Sequence, residues 1–244
     1  MKIRTSLKAI LVLVGALCLL FYPASSKADS ITVPSTPADW KGYITSDHMD
    51  PGPNSAGTPP FGYVELWQIN TDTVDLRVTL DPGNKFVSTG SGNFQDFLFN
   101  MTGGLGVGNI TIEQNALYDL HASAGPFSAD GLGPMGFGIR GYITYPNDPQ
   151  PIGGGDGFTT PIIFQVYSAT GVTIAQLTTP NPIIGGKGGN IFGIDMFSGQ
   201  TGLTGLVDVS QEGVPFPVPE PGILILLGIA MSAIGMASWR ISKI

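Results

Sequence analysis

The sequence predicts an all-β body, an antiparallel β-sandwich, from three observations. Glycine and proline, 35 and 20 of the 244 residues, are spread along the whole chain and leave little room for long helices. Several short segments alternate apolar and polar residues with the two-residue period of a half-buried strand. Turn-forming residues separate these segments, a spacing that is typical of sandwiches and partly closed barrels.

The strongest strand pattern lies in the first third of the chain. Segments 62–69 and 74–80 both carry side chains of alternating character. The short, turn-rich sequence Asn70-Thr71-Asp72 joins them, which predicts a β-hairpin. A second turn, Asp81-Pro82-Gly83-Asn84, ends the pair.

Further strands are predicted for seven short segments that are bounded by Gly, Pro, Asn or Asp. One helical segment, 111–120, competes with a strand near residue 110. Loops are predicted for 47–60 and for the Gly- and Pro-rich 147–157. The seven predicted strands are 96–100, 109–113, 137–145, 162–167, 172–177, 191–197 and 205–209.

The charge and cysteine content of residues 29–218 exclude several functions. The five Lys and Arg there oppose 17 of the chain's 18 carboxylates, Glu220 being the other, so this segment has a net charge near −12. Such a field repels phosphate backbones, and we expect no nucleic-acid partner. Cys18 is the chain's one cysteine, so residues 29–218 have no disulfide, thiolate metal site or cysteine nucleophile.

The sequence predicts no enzyme and no catalytic residue. Neither histidine, His48 or His121, has a nucleophile motif beside it, and Ser46-Asp47-His48 is a run of neighbours rather than a nucleophile elbow. The acids are numerous and scattered, so no pair stands out for glycoside hydrolysis. The glycine run at 103–108 lacks the lysine of a phosphate-binding loop.

Two binding functions are alternatives to a purely structural body. The rings of Trp40, Tyr63 and Trp67 could stack on sugar faces if they are exposed, although burial in the core is the commoner fate of such residues. For ions, Ca²⁺ suits the loops that carry Asp47, Asp50 and Asp156, but neither loop has a complete ligand repeat. We expect no cofactor, with calcium as the alternative to solvent-exposed loops.

The N-terminus has the three parts of a secretory signal peptide at 1–28. Three Lys and Arg residues within the first eight positions precede an apolar stretch at 9–22. Ser26 and Ala28 then place small residues at the −3 and −1 positions of a cleavage site. We expect signal peptidase to cut after Ala28, so that the mature chain begins at Asp29.

The last 26 residues, from Pro219, combine a helix-breaking acidic triplet, an apolar run and a basic end. Pro219-Glu220-Pro221 precedes an uncharged run at 222–239, which as a helix would be roughly 27 Å long, close to the ~30 Å of a bilayer's hydrocarbon core. Arg240 begins a basic tail at 240–244, and such charge is retained on the cytoplasmic side. These features predict a membrane-spanning helix with the body outside.

This tail resembles the PEP-CTERM sorting domain of Gram-negative envelope proteins. The matching features are Val218-Pro219-Glu220-Pro221, the glycine-containing apolar run and the basic end at Arg240. The resemblance implies that exosortase, a membrane enzyme, recognises the triplet and removes the helix. An ordinary anchor that is never processed is the alternative. The resemblance covers the tail alone and implies no functional residue in the body.

The predicted organisation is a signal peptide (1–28), a sandwich body (29–213), a Pro-rich tether with the sorting motif (214–221), a sorting helix (222–239) and a cytoplasmic tail (240–244). The resemblance implies an exported protein that is first held in the inner membrane and then placed at the cell surface or in the extracellular matrix of a Gram-negative bacterium. We expect a structural or adhesive role in exopolysaccharide. A carbohydrate-binding module is the alternative, and a secreted hydrolase is the weakest hypothesis.

Overall fold

The computed structural model describes residues 30–49, 55–114, 118–129, 131–143, 150–152, 155–183 and 187–210. The predicted signal peptide with its cleavage site at Ala28 and Asp29, the tether and motif, and the apolar run with its basic tail all lie outside these ranges. Within them, no helix is both long enough and apolar enough to cross a bilayer. The structure therefore describes the body.

The described residues form two antiparallel sheets, so the predicted all-β class is confirmed. The first sheet contains, in spatial order, β1 (Trp40–Ile44), β3 (Gly62–Asn70), β4 (Thr73–Leu80), β11 (Ile162–Tyr167) and β7 (Ile110–Ile112). The second contains β10 (Gln150–Pro151), β9 (Gly133–Ile143), β6 (Phe97–Phe99), β12 (Asn190–Phe197), β13 (Thr204–Ser210) and β2 (Ser46–Asp47). In addition, β5 (Lys85–Phe86) pairs with β12, and β8 (Tyr118–Ala129) pairs with β9.

The predicted hairpin is confirmed, as β3 and β4 pair with each other directly. Leu66 lies opposite Leu76, and Val64 lies opposite Val78. All four side chains are fully buried. Residues between them point to the other face of the sheet, as the two-residue period requires.

The two sheets face each other across one apolar core, which gives a sandwich-like arrangement. The ring of Phe164 on the first sheet lies 5.9 Å from that of Phe97 and 5.2 Å from that of Phe99 on the second. Phe192 on β12 stacks on Phe97 at 5.4 Å. Each of these side chains is fully buried, and such burial contributes about 1.5–3 kcal/mol per side chain.

The segment predicted as a strand at 172–177 is wrong, because it contains a short helix, α1 (Ile174–Leu177). The Thr173 N–H donates to Gln176 Oε1 at 2.7 Å and fixes the first turn of the helix. A Thr followed three residues later by Gln is a helix-start pattern, and the apolar residues at 172, 174, 175 and 177 do not follow the two-residue period of a strand. The helical alternative at 111–120 is also wrong, since β7 and the start of β8 occupy its described part.

The sequence pattern misses β8, which forms a long hairpin with β9. Its residues pair with β9 from Tyr118 opposite Ile143 to Ala129 opposite Gly133, with an irregularity between Ala124 and Phe127. The strand is rich in Ala, Ser and Gly, residues with weak strand preference, and it contains Pro126. Pairing with β9 outweighs that weak local preference.

Candidate functional site

The structure separates the three aromatic residues that were candidates for sugar binding. Trp40 points toward the core, where its ring meets Phe192 edge-on at a centroid distance of 5.6 Å. Tyr63 and Trp67 alternate with the core residues of β3 and therefore lie on the opposite face. We call this face, which also carries Lys41, Glu65 and Arg77, the first outer face.

The rings of the first outer face are already covered. Trp67 is only 3% exposed, and its Nε1–H donates to the Thr36 carbonyl at 3.0 Å. The ammonium of Lys41 lies 3.6 Å from the centre of the Tyr63 ring. Each ring face that a sugar would need is thus at least partly occupied by a neighbouring group of the same chain.

The two cations of the first outer face share one carboxylate. Glu65 accepts a hydrogen bond from Lys41 Nζ at 3.0 Å and from Arg77 Nη2 at 2.6 Å. Arg77 also lies 5.3 Å from the Trp67 ring centre. The network links β1, β3 and β4, so its charges serve to hold neighbouring strands together.

His48 pairs with a buried acid, which the sequence pattern does not predict. Its Nε2–H donates to Asp208 Oδ2 at 2.6 Å, and Asp208 is fully buried on β13. This hydrogen bond raises the pKa of His48. The other ring nitrogen, Nδ1, faces Gly131, where an added Cβ would collide with it. Close packing on both sides of the ring favours a structural link between β13 and the chain after β2.

Two further acids are buried beneath the loop at 89–95. Asp195 Oδ2 accepts hydrogen bonds from Thr89 N–H at 2.6 Å and from Gly92 N–H at 3.3 Å. Asp96, next to it, is fully buried and accepts a hydrogen bond from Gly141 N–H. Burial raises the pKa of Asp96 to about 8 and that of Asp195 to about 7. Neither carboxyl group therefore carries a full negative charge at neutral pH.

This loop presents an exposed phenylalanine in an unfavourable backbone conformation. Asn93 and Phe94 have φ angles of 52° and 62°, in the left-handed region that bulky residues rarely adopt. Phe94 N–H donates to the Thr89 carbonyl at 2.8 Å, and its side chain is 48% exposed. Such conformations cost about 1–3 kcal/mol and are concentrated at functional sites.

Phe94 begins a continuous series of ring and guanidinium contacts. The Arg140 Cζ lies 5.6 Å from the ring centre of Phe94 and 4.8 Å from that of Tyr142. The Tyr142 ring in turn meets His121 edge-on at 5.6 Å. We call Phe94, Arg140, Tyr142 and His121 the aromatic–arginine row. His121 Nε2 also binds Asp119 Oδ2 at 2.9 Å, and both side chains are about half exposed.

The row occupies the second outer face, the face of β8 and β9 that is turned away from the shared core. Arg140 and Tyr142 are two residues apart on β9, so they point to the same side. His121 lies opposite Arg140 across the strand pair. The two-residue spacing of Arg140 and Tyr142 within the predicted strand 137–145 already indicated that these two side chains share a face. The positions of His121 and Phe94 were not predictable, because β8 and the loop conformation were not predicted.

The structure gives no support to calcium at the loops that the sequence suggested, and calcium stays a prediction. Asp47 accepts hydrogen bonds from Met49 N–H at 2.8 Å and Ala56 N–H at 2.7 Å, so both its oxygens bind the local backbone. Asp156 is exposed, and Asp50 lies outside the described residues. Across the described ranges, no group of three or more His, Cys, Asp or Glu side chains is placed to hold a metal ion.

A hollow near the start of β8 is too small for a sugar ring together with the adjacent sugars of an oligosaccharide. It has a volume of about 70 Å³ and is lined by residues that include Glu113, Leu120 and Phe158. Sites for small molecules are typically about 300–1,000 Å³. This hollow is therefore not a site for an oligosaccharide.

Comparison with known proteins leaves the function to be argued from the chain itself. No protein-family model, no curated protein and no solved structure matches this chain.

Proposed function

We propose that the chain is an exported envelope or extracellular-matrix protein with a structural or adhesive role in exopolysaccharide. The observation that carries the proposal is the order of Pro219-Glu220-Pro221, the uncharged run at 222–239 and Arg240. This order resembles an exosortase sorting signal. The leader expected at 1–28 would bring the chain into the same export route.

The geometry of the body supports a non-catalytic role. Several of its acids hold structural elements together: Glu65 binds cations from β1 and β4, and Asp195 binds the loop at 89–95. The two-sheet body, which we interpret as a β-sandwich, has no cysteine with which to form a disulfide. Packing and these internal hydrogen bonds would stabilise it outside the cell.

One observation favours the competing hydrolase hypothesis, the pairing of His48 with Asp208. A histidine held by a buried acid is part of many nucleophilic sites. The second ring nitrogen of such a histidine must meet a nucleophile, whereas Nδ1 of His48 faces Gly131. No described hydroxyl group hydrogen-bonds to that nitrogen, so the pair fits a structural role better.

The sorting proposal is tested by changing Glu220 to Ala in a Gram-negative host that carries an exosortase. Glu212→Ala is the matched control, because it removes the same charge upstream of the motif. Wild type and Glu212→Ala should begin at Asp29 and lack the tail. Glu220→Ala should insert normally, since its apolar run is unchanged, and accumulate in the membrane with about 2–3 kDa of extra mass.

Fractionation and intact mass spectrometry measure both ends of the chain at once. If all three proteins keep the same C-terminus and fractionate together, the tail is an ordinary anchor and the sorting proposal is wrong. Recovery of exported protein that still begins at Met1 would contradict the cleaved leader.

A further inference from the structure

Unlike Trp67 on the first outer face, the aromatic–arginine row includes accessible side chains. Phe94 is 48% exposed, and the side chain of His121 is 54% exposed. Arg140 and Tyr142 are half-buried beside them. Arg140, Tyr142 and His121 lie on paired strands, and the loop that carries Phe94 is hydrogen-bonded to the buried Asp195, so these positions are fixed before any ligand arrives. Such preorganisation reduces the entropy that is lost on binding.

The guanidinium group of Arg140 has no carboxylate partner among the described residues. The ion pairs that the structure describes for Lys and Arg both go to Glu65, from Lys41 and Arg77. The Arg140 Nε is buried and has no hydrogen-bond partner in the described ranges. Two aromatic rings hold the group in place, so it keeps its charge, and the donors other than the buried Nε are left for a ligand.

The buried Asp96, which interacts electrostatically with Arg140, does little to neutralise it. Burial raises the pKa of Asp96 to about 8, so that this carboxyl group is mostly protonated at neutral pH. A guanidinium that forms no ion pair within the described residues attracts an external carboxylate and can bind it through two parallel hydrogen bonds. Local charge complementarity therefore favours a ligand that carries a carboxylate.

The shape and the overall charge of the body restrict what kind of ligand this is. Exposed rings on an open sheet face can stack on the C–H faces of sugar rings, and no groove is needed. The net charge near −12 of residues 29–218 would repel a densely charged polyanion. At physiological salt, charges are screened beyond about 8 Å, so one carboxylate beside Arg140 is attracted more strongly than the distant acids repel it.

We propose that the aromatic–arginine row binds a matrix oligosaccharide that carries widely spaced carboxylates. Sugar rings stack on Phe94 and Tyr142, and a uronic-acid carboxylate binds the guanidinium of Arg140. His121, oriented by Asp119, borders the far end of the site. The inference rests on the proposed function, because only an exported protein meets such a glycan.

The test uses the purified full-length protein in detergent, because no shorter form has been shown to fold. Binding is measured by biolayer interferometry to immobilised oligosaccharides in which glucuronate, galacturonate or mannuronate alternates with neutral sugars. Each glycan is paired with its carboxyl-reduced form. We expect at least one glycan to bind and its reduced form to bind about tenfold more weakly, since hydrogen bonds to charged groups are the stronger kind.

Three variants separate the two parts of the proposed site. Arg140→Gln should weaken binding of the uronate form about tenfold and leave binding of the reduced form unchanged. Phe94→Gly should weaken binding of both forms, because the ring is lost while the backbone conformation is retained. Tyr167→Ala, at an equally exposed aromatic residue on the other sheet (48%), should change neither.

The proposal is overturned if no glycan binds, if carboxyl reduction has no effect, or if Arg140→Gln weakens both forms equally. An effect of Tyr167→Ala as large as that of Phe94→Gly would also overturn it. These outcomes are independent of the Glu220→Ala experiment, which measures sorting in cells. If the tail is not processed but the protein binds the glycan, the sorting proposal is wrong and the binding proposal for the aromatic–arginine row still stands.

Discussion

On the first outer face, Lys41 and Arg77 both bind Glu65, and Trp67 is covered to 3% exposure. On the second outer face, Arg140 has no carboxylate partner in the described structure, and Phe94 is 48% exposed. Both faces therefore combine cations with aromatic rings. They differ in whether the charges and ring faces are already occupied by the protein itself.

The difference shows why residue type alone is a poor guide to a binding surface. Trp40 and Trp67 are the residues that sequence reasoning selects first, and they contact the core or neighbouring backbone. An accessible ring belongs instead to Phe94, in a loop whose conformation is fixed by hydrogen bonds to the buried Asp195. The two faces differ in whether their charged groups and rings already contact other groups of the same protein.

The largest expected effect concerns the acids beneath the second outer face. Asp96 and Asp195 have raised pKa values because they are buried, and the hydrogen bond to Asp208 raises that of His48. The folded state therefore binds more protons than the unfolded state between about pH 4 and pH 8. By linkage, the free energy of unfolding must decrease as the pH rises through this range.

At about 1.4 kcal/mol per pH unit for each acid below its folded pKa, we expect a decrease of about 6 kcal/mol between about pH 5 and pH 8, measured by urea unfolding followed by tryptophan fluorescence. Asp96→Asn should flatten the dependence of the free energy of unfolding on pH. On the first sheet, Asp75→Asn should flatten it less: burial also raises the pKa of Asp75, but a hydrogen bond from Gln165 opposes the effect. Greater stability at about pH 8 than at pH 5 would contradict this account of the buried acids.

A smaller effect on the free energy of unfolding is expected from replacing either histidine. Each binds one carboxylate, and the two pairs differ in burial. His48→Ala would leave the fully buried Asp208 without its partner, and we expect a loss of about 2 kcal/mol in the free energy of unfolding. His121→Ala breaks a pair whose side chains are about half exposed, and we expect a loss below about 0.5 kcal/mol.

Chemical denaturation at about pH 6 compares the two variants. Equal losses would mean that the burial of Asp208 does not control the energy of the pair. The same proteins test the hydrolase hypothesis. If the wild type cleaved ester or glycoside substrates and His48→Ala lost that activity without losing stability, the pair would be catalytic.

Much of the fold was predictable because the period-two pattern is strong where one face of a strand is buried. The hairpin at 62–80 and the strand at 162–167 have that pattern, and both are present as expected. The strand β8 has no such signal, since its Ala, Ser and Gly residues owe their conformation to pairing with β9. Residues 172–177 lack a strict two-residue period, and Thr173 precedes a helix that begins at Ile174.

The candidate site was less predictable than the fold, for a related reason. It combines residues from the loop at 89–95, from β8 and from β9, and only the spacing of Arg140 and Tyr142 is visible in the sequence. The pairs His48–Asp208 and Asp96–Asp195 join positions that are far apart in the chain. Long-range burial produces their raised pKa values, and no local pattern reports it.

A change of about 1 kcal/mol tests whether Phe94 is held in place at a cost to stability. At a φ of 62°, glycine is free of the steric penalty that a side chain carries, so Phe94→Gly should raise the free energy of unfolding by about 1 kcal/mol. Phe94→Ala keeps a Cβ and should give no such gain. Tyr167→Gly, at an equally exposed ring in the regular strand β11, should lose about 1 kcal/mol, because glycine weakens a strand.

Thermal unfolding resolves these differences, since 1 kcal/mol shifts the Tm of a domain of this size by about 2–4 °C. A gain for Phe94→Gly together with weaker glycan binding would show that the exposed ring opposes stability and serves recognition. If Phe94→Gly and Phe94→Ala were both destabilised like Tyr167→Gly, the ring would instead contribute to packing. The contrast between the accessible and the occupied outer face would then lose its main support.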